Sequence, residues 1–197
     1  MIHIDDETDI DFRYETFDWE YKNKIIVVHG LEINFYPSQN DKYIFAEEHL
    51  DIDYVINSIH GVGRESFYLP QFFIGKDENI VAGQYLDEIL LSLQVPYDYQ
   101  IVGHIGTISK LFTKRDKNIT YSEFPDKYDA ILKYIIEHNK ALEINTNFDG
   151  VNFFPHVSVI QRYYDLGGRI ITIGGDAHNA SKVYQYNDVV IKTLKEI

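Results

Sequence analysis

A strand-like segment, Ile170-Ile-Thr-Ile-Gly-Gly-Asp-Ala-His178, carries two potential metal ligands at its end. Its apolar, β-branched run predicts a buried strand that stops at the paired glycines. Residues i and i+2 of an extended chain point to the same side, so Asp176 and His178 can converge on one point beyond the strand. An Asp-x-His pair is common by chance and alone fits a solvated loop. In this chain the pair indicates a metal site, because apolar strands that end in a potential ligand recur along the sequence.

Strand-like runs and helical patterns alternate along the chain, with no low-complexity linker between them. This alternation predicts an α/β fold with a parallel sheet or barrel, in a single domain over residues 1–197. In such folds ligands gather at the carboxyl ends of the strands. The predicted strands are residues 1–4, 24–35, 53–59, 99–104, 140–145 and 169–174. The predicted helices are residues 82–93, 128–138 and 155–164, the last stopped by two glycines at 167 and 168.

Composition excludes several classes of protein. A chain of 197 residues with 45% hydrophobic content can bury one substantial core. No apolar run is long enough to cross a bilayer, and the acidic start lacks the order of a secretion signal, so we expect a cytoplasmic protein without a membrane partner. The absence of cysteine leaves histidine and carboxylate as the strong metal ligands. A net charge of -13 disfavours nucleic acid as a partner, and a small anionic substrate would need local cations or bound metal.

Three further potential ligands lie in or after predicted strands. Glu32 sits within the apolar run Ile25-Ile-Val-Val-His-Gly-Leu-Glu-Ile33, where an unpaired carboxylate would cost several kcal/mol. His60 and His104 each terminate a strand. Either histidine alone would be read as a hydrogen-bonded core or loop residue. Together with the Asp-x-His pair they favour a metal site, and five ligands exceed those of a single zinc, which suggests two or more ions.

These motifs resemble the PHP (polymerase and histidinol phosphatase) family of metal-dependent phosphoesterases, particularly its histidinol-phosphatase branch. The series, in the family's order, is Gly-Leu-Glu32-Ile, Asn-Ser-Ile-His60, Val-Gly-His104-Ile, Leu-Glu143-Ile-Asn145 and Gly-Gly-Asp176-Ala-His178. The resemblance implies a distorted (β/α)7 barrel with a di- or trinuclear metal centre, and histidine and carboxylate ligands suit zinc, manganese or iron without selecting among them. It further implies hydrolysis of a small phosphorylated metabolite, histidinol phosphate, and so a role in histidine biosynthesis. The catalytic set would be Glu32, His60 and Asp176, with His104 and His178 as further ligands.

The beginning of the chain departs from the family pattern. The family opens with a strand carrying His-x-His, which occurs nowhere in this sequence. The segment Ile2-His-Ile-Asp-Asp-Glu-Thr-Asp-Ile-Asp-Phe12 resembles the family's next motif, with Glu7 where a histidine is expected. We therefore expect a barrel without its first βα unit, either opened or covered in a homo-oligomer. Glu7 is a candidate metal ligand, although Asp5-Asp6-Glu7 equally fits a solvated acidic loop.

The resemblance also implies where a substrate phosphate would be held. Basic side chains are expected after His104, and Lys110, Lys114 and Arg115 are the candidates, with a solvated basic loop as the alternative. The branch commonly supplies an arginine after Leu-Glu-Ile-Asn145, where this chain has Thr146-Asn-Phe-Asp-Gly150. An aspartate at position 149 would repel phosphate. Glu143 is expected to support the site rather than to bind metal.

Two functional classes follow from these features. The first is a metal-dependent phosphatase acting on a small phosphomonoester, which retention of five ligands at separate strand ends favours. The second is a catalytically impaired relative that keeps a metal site and acts as a binding or regulatory module, which the missing His-x-His and arginine favour. A nuclease or polymerase-associated PHP domain is disfavoured by the acidic charge.

Overall fold

A parallel sheet of six strands forms the centre of the protein. The computed structural model describes residues 2–4, 26, 28–148 and 152–197. The strands of the sheet are β1 Ile2–Ile4, β2 Gly30–Asn34, β3 Tyr54–Ser58, β6 Ile101–Val102, β7 Ala141–Asn145 and β8 Ile171–Gly174. They lie side by side in this order, and every neighbouring pair is parallel. A two-stranded antiparallel hairpin, β4 Gly61–Val62 and β5 Glu65–Ser66, follows β3.

Helices fill most of the connections between the strands. Their bounds are α1 Asn40–His49, α2 Glu78–Ser92, α3 Pro125–Glu137, α4 Val157–Asp165 and α5 Asn187–Leu194. The three predicted helices are present with shifted ends. α2 begins four residues before its apolar pattern because Asp77 caps it, its carboxylate accepting the N–H of Asn79 at 2.7 Å. α3 begins early because Pro125 occupies its first turn, where the missing N–H costs nothing. No helix of the described residues is long and apolar enough to span a membrane.

The predicted strands are present but shorter. The predicted strand 24–35 is reduced to Gly30–Asn34, and the predicted strand 99–104 to two residues, Ile101–Val102. Apolar runs overestimate strand length because loop residues that pack on the core are apolar too. The hairpin, α1 and α5 were not predicted. α1 buries only Tyr43 and Ala46, so it has no clear apolar stripe to detect.

The α/β class with a parallel sheet is confirmed. Within the described ranges β1 and β8 are the two edges of the sheet, and no strand pairing joins them into a closed barrel. Barrel closure, the missing first βα unit, the single domain and a homo-oligomer covering the edges stay predictions. All six strands run the same way, so their carboxyl ends meet along one edge. Loops on that edge bring together residues that are far apart in the chain.

The ion pair between α3 and α4 provides a pH-dependent test of how the helices are held. Asp129 on α3 accepts two hydrogen bonds from Arg162 on α4, at 2.8 and 2.7 Å. These bonds hold the pKa of Asp129 well below its ordinary value. A carboxyl whose folded-state pKa is lowered stabilises the fold above its unfolded pKa of about 3.9, and this stabilisation is lost as the pH falls through the folded-state value.

We therefore expect Asp129→Asn to lower the free energy of unfolding at pH 7 and to lose this effect progressively below pH of about 4. Urea unfolding of both proteins at a series of pH values measures the difference. Asp116→Asn, the same change at an exposed aspartate, is the control. A difference that does not vary with pH would contradict the assignment.

Candidate metal centre

Glu32, His60 and His104 form a tight buried cluster at the carboxyl edge of the sheet. Nε2 of His104 lies 2.9 Å from Oε1 of Glu32, and Nε2 of His60 lies 3.4 Å from the same oxygen. The two Nε2 atoms are 3.2 Å apart. The two imidazole rings stack with 5.1 Å between their centroids. The structure thus brings together three of the residues that the sequence singled out.

Each member of the cluster is held by hydrogen bonds from a neighbouring strand or loop. Ser58, the last residue of β3, donates its hydroxyl to Oε1 of Glu32 at 2.9 Å. The backbone N–H of His60 donates to Oδ1 of Asn34 at 2.9 Å, and that of His104 donates to Oε2 of Glu143 at 2.7 Å. The cluster is therefore oriented before any ligand arrives.

The charge of Glu32 is stabilised despite its burial. Burial by itself would raise the pKa of this carboxyl, but hydrogen bonds and charge from His104 and His60 lower it well below its ordinary value. Glu143 differs, because burial outweighs its contacts with His104 and raises its pKa. A carboxylate with a lowered pKa therefore faces two buried imidazoles, where electrostatic interactions are stronger than in bulk water.

The donor set fits a divalent cation. Three ligands at 2.0–2.1 Å from one tetrahedral zinc lie about 3.3 Å from one another, and the separations of 2.9, 3.2 and 3.4 Å are close to this value. A divalent cation would also supply positive charge opposite the Glu32 carboxylate, which both Nε2 atoms face. Imidazole and carboxylate suit zinc, manganese and iron.

Glu32 and His60 line a cavity with a volume of about 280 Å³. Asp176 and His178 lie on the wall of this cavity. Asp176 follows β8 by two residues and accepts a hydrogen bond from the amide of Asn147 at 2.7 Å. The side chain of His178 is 67% exposed, and its Nδ1 lies 3.5 Å from Oδ1 of Asp176. The pair therefore faces the cavity beside the buried cluster, without being part of the tight group of three.

The structure separates the three basic candidates. Lys110, near the end of the 3₁₀ helix Thr107–Leu111, lines the cavity, and its ammonium lies 5.5 Å from the ring centroid of Phe154. Burial lowers its pKa, whereas the charges of Asp176, Glu143 and Glu32 act to raise it. Among the described residues on the cavity wall, Lys110 is the only lysine or arginine.

Lys114 and Arg115 do not line this cavity. Lys114 is exposed, and its backbone N–H donates to Glu78. Arg115 lines a separate pocket, where its guanidinium contacts Glu123 and donates to Oδ1 of Asn79 at 3.0 Å. Of the three cations proposed to hold phosphate, the structure therefore brings Lys110 to this cavity, whereas Lys114 and Arg115 lie outside its lining.

Some residues of the site were not identified from the sequence, and others lie outside the described part of the chain. Tyr68, after the hairpin, lines the cavity with its ring centroid 5.7 Å from that of His60, and no motif marked it. Asn147 directly follows the Leu-Glu-Ile-Asn-Thr segment, and the structure shows that it lines the cavity and donates to Asp176. Glu7 and Asp149 lie outside the described residues.

Comparison with known proteins agrees with this geometry. The PHP domain family matches residues 8–147. A protein of Clostridium acetobutylicum named probable histidinol-phosphatase is 29% identical over 175 residues, which are 86% of this chain and 67% of that protein. Histidinol-phosphatase of Lactococcus lactis is 30% identical over 169 residues, 83% of this chain and 62% of that protein. The chain thus spans about two thirds of the length of these relatives.

A solved structure has the same fold. It is the crystal structure of histidinol phosphate phosphatase from Lactococcus lactis complexed with zinc, L-histidinol and phosphate. It matches this chain with a TM-score of 0.74 and 25% sequence identity, covering 88% of this chain and 69% of that one. The family match extends over most of the chain and includes Glu32, His60 and His104. The chain therefore belongs to the PHP domain family.

Proposed function

We propose that this protein is a metal-dependent phosphomonoesterase of the histidinol-phosphatase type, with histidinol phosphate as its substrate. The observation that carries the proposal is the buried Glu32, His60 and His104 cluster opening into a cavity that also holds Lys110. The similarity to an enzyme crystallised with zinc, L-histidinol and phosphate supports this choice of substrate.

We assign metal binding, phosphate binding and contact with the rest of the substrate to different residues of the cavity. Glu32, His60 and His104 would hold one ion, and we assign Asp176 and His178 to a further ion on the same wall. When bound, divalent cations supply positive charge for the phosphoryl oxygens and lower the pKa of water to about 7, so that hydroxide is available near neutral pH. Lys110 would attract and orient the phosphate through a charge-assisted hydrogen bond. Tyr68 lines the cavity and is 53% exposed, so its aromatic ring is suited to contact the imidazole ring of the substrate.

Metal content and turnover together test the proposal. We expect the purified protein to bind zinc, manganese or iron, to release phosphate from histidinol phosphate, and to lose this activity on treatment with a chelator and regain it on addition of metal. Release of phosphate from histidinol phosphate should exceed that from a simple alkyl phosphate. Bound metal without turnover would contradict the enzymatic assignment and favour a binding or regulatory relative.

A further inference from the structure

Glu143 contacts the candidate metal cluster of Glu32, His60 and His104 without belonging to it. It is the third residue of β7, is 5% exposed, and is absent from the group of side chains close enough to share an ion. Its Oε2 accepts the backbone N–H of His104 at 2.7 Å, and the amide of Asn145 lies 3.4 Å from the same oxygen. The Glu143 carboxylate therefore binds the backbone of His104 and is not itself one of the candidate metal ligands.

The backbone that Glu143 holds is strained. His104 has φ of 23°, in the positive region that residues with a side chain rarely adopt. Such a conformation is energetically unfavourable and persists only where surrounding contacts maintain it. The N–H of Thr107 donates to the carbonyl of His104 at 3.0 Å, so hydrogen bonds hold both sides of this residue. The conformation directs the ring of His104 towards Glu32 and His60.

Gly174 has no side chain, and the Glu143 carboxylate occupies the space where its Cβ would lie. It is the last residue of β8, the strand beside β7, and pairs with Asn145. A Cβ on Gly174 would overlap with Oε1 of Glu143 and lie 2.9 Å from its Cδ. Because Gly174 does not have a positive φ, its lack of a side chain is explained by this contact rather than by its backbone conformation.

We propose that Glu143 is a positioning residue for the metal centre, which acts by holding His104 in its strained conformation, and that Gly174 is the partner that makes room for it. The inference rests on the proposed function only in taking His104 to be a metal ligand. This inference gives the Leu-Glu-Ile-Asn motif a physical role. Strand β7 contributes no ligand to the cluster, but its residue Glu143 orients His104, which follows the neighbouring strand β6.

Zinc affinity of the full chain tests this role without relying on turnover. We expect Glu143→Ala to weaken zinc binding 10- to 100-fold, as is usual when a partner that orients a metal ligand is removed. Glu143→Gln keeps a carbonyl acceptor for the His104 N–H and should restore most of the affinity. Competition with a chromophoric chelator measures binding, and urea unfolding without metal checks that each variant is folded.

A double-mutant cycle separates positioning from general damage to the fold. Gly174→Ala should weaken zinc binding in the wild-type background, where its methyl group displaces the carboxylate. In the Glu143→Ala background the same change should have little further effect, because the space is then vacant. Additive losses would overturn the proposed link between the two residues.

The remaining outcomes distinguish this inference from the proposed function. Zinc binding by Glu143→Ala at wild-type affinity, or equal losses in Glu143→Ala and Glu143→Gln, would overturn the inference. His104→Ala is the reference variant. If it loses zinc while Glu143→Ala retains it, only the positioning role fails. If His104→Ala itself binds zinc as the wild type does, the metal site of the proposed function fails as well.

Discussion

Glu32→Gln is expected to abolish tight metal binding and to reduce phosphate release roughly 10²- to 10³-fold, since a metal supplies several kcal/mol of charge stabilisation to phosphoryl transfer. Glutamine has nearly the same shape, so the variant removes the charge and leaves the packing. The loss should be large because Glu32 is the single oxygen ligand of the buried cluster, and both histidines contact it. Zinc titration and phosphate release from histidinol phosphate measure the two effects.

Glu137→Gln is the matched control for this prediction. Glu137 is exposed at the end of α3, so the same chemical change should alter neither zinc affinity nor turnover. Unfolding by urea without metal should show that Glu32→Gln still folds, because glutamine keeps the shape of the side chain and an oxygen that accepts the Ser58 hydroxyl. Unchanged zinc affinity in folded Glu32→Gln would contradict the assigned metal site.

Lys110→Met is expected to lower kcat/KM for histidinol phosphate roughly 10- to 100-fold, because a hydrogen bond to a charged group contributes about 1.5–3 kcal/mol. Most of the loss should be in KM, since the ammonium attracts phosphate before the reaction as well as during it. Inhibition by inorganic phosphate should weaken in parallel. Methionine keeps much of the length of the side chain and its apolar contacts, including that with Phe154.

Two comparisons make the Lys110 prediction specific. Lys117→Met makes the same change at an exposed lysine seven residues along the chain and should have no effect. Zinc affinity should not decrease in Lys110→Met, because this residue repels rather than binds cations. A normal kcat/KM in the variant would show that the phosphate is held elsewhere.

The fold class could be predicted from the sequence because its physical cause is local. Apolar runs such as Ile170–Ile173 identify buried strands, and amphipathic segments between them identify helices. The ends of these elements were less predictable, since they depend on capping by residues such as Asp77 and on which apolar residues pack in loops. α1 was missed because its buried face is only two residues wide.

The members of the buried Glu32, His60 and His104 cluster could also be predicted from the sequence, because parallel strands end along the same edge of a sheet. Glu32, His60 and His104 are separated by 28 and 44 residues, yet each lies in or just after a parallel strand. Residue type and position along the strand therefore sufficed to group them. Asp176 and His178 were grouped with them for the same reason, and they share the cavity wall.

What only the tertiary structure decided is which side chains face this cavity and what supports them. Lys110 and Arg115 lie five residues apart, and no local pattern distinguishes them, but the chain turns between them and Arg115 contacts Glu123 in another pocket. The contact of Glu143 with His104 joins residues 39 positions apart, and the space it needs is left by Gly174 on a third strand. The sequence by itself determined the six strands of the sheet, three of the helices and the chemical types of the candidate ligands, because these depend on neighbouring residues. Orientation and support depend on contacts between distant segments, which exist only once the sheet has assembled.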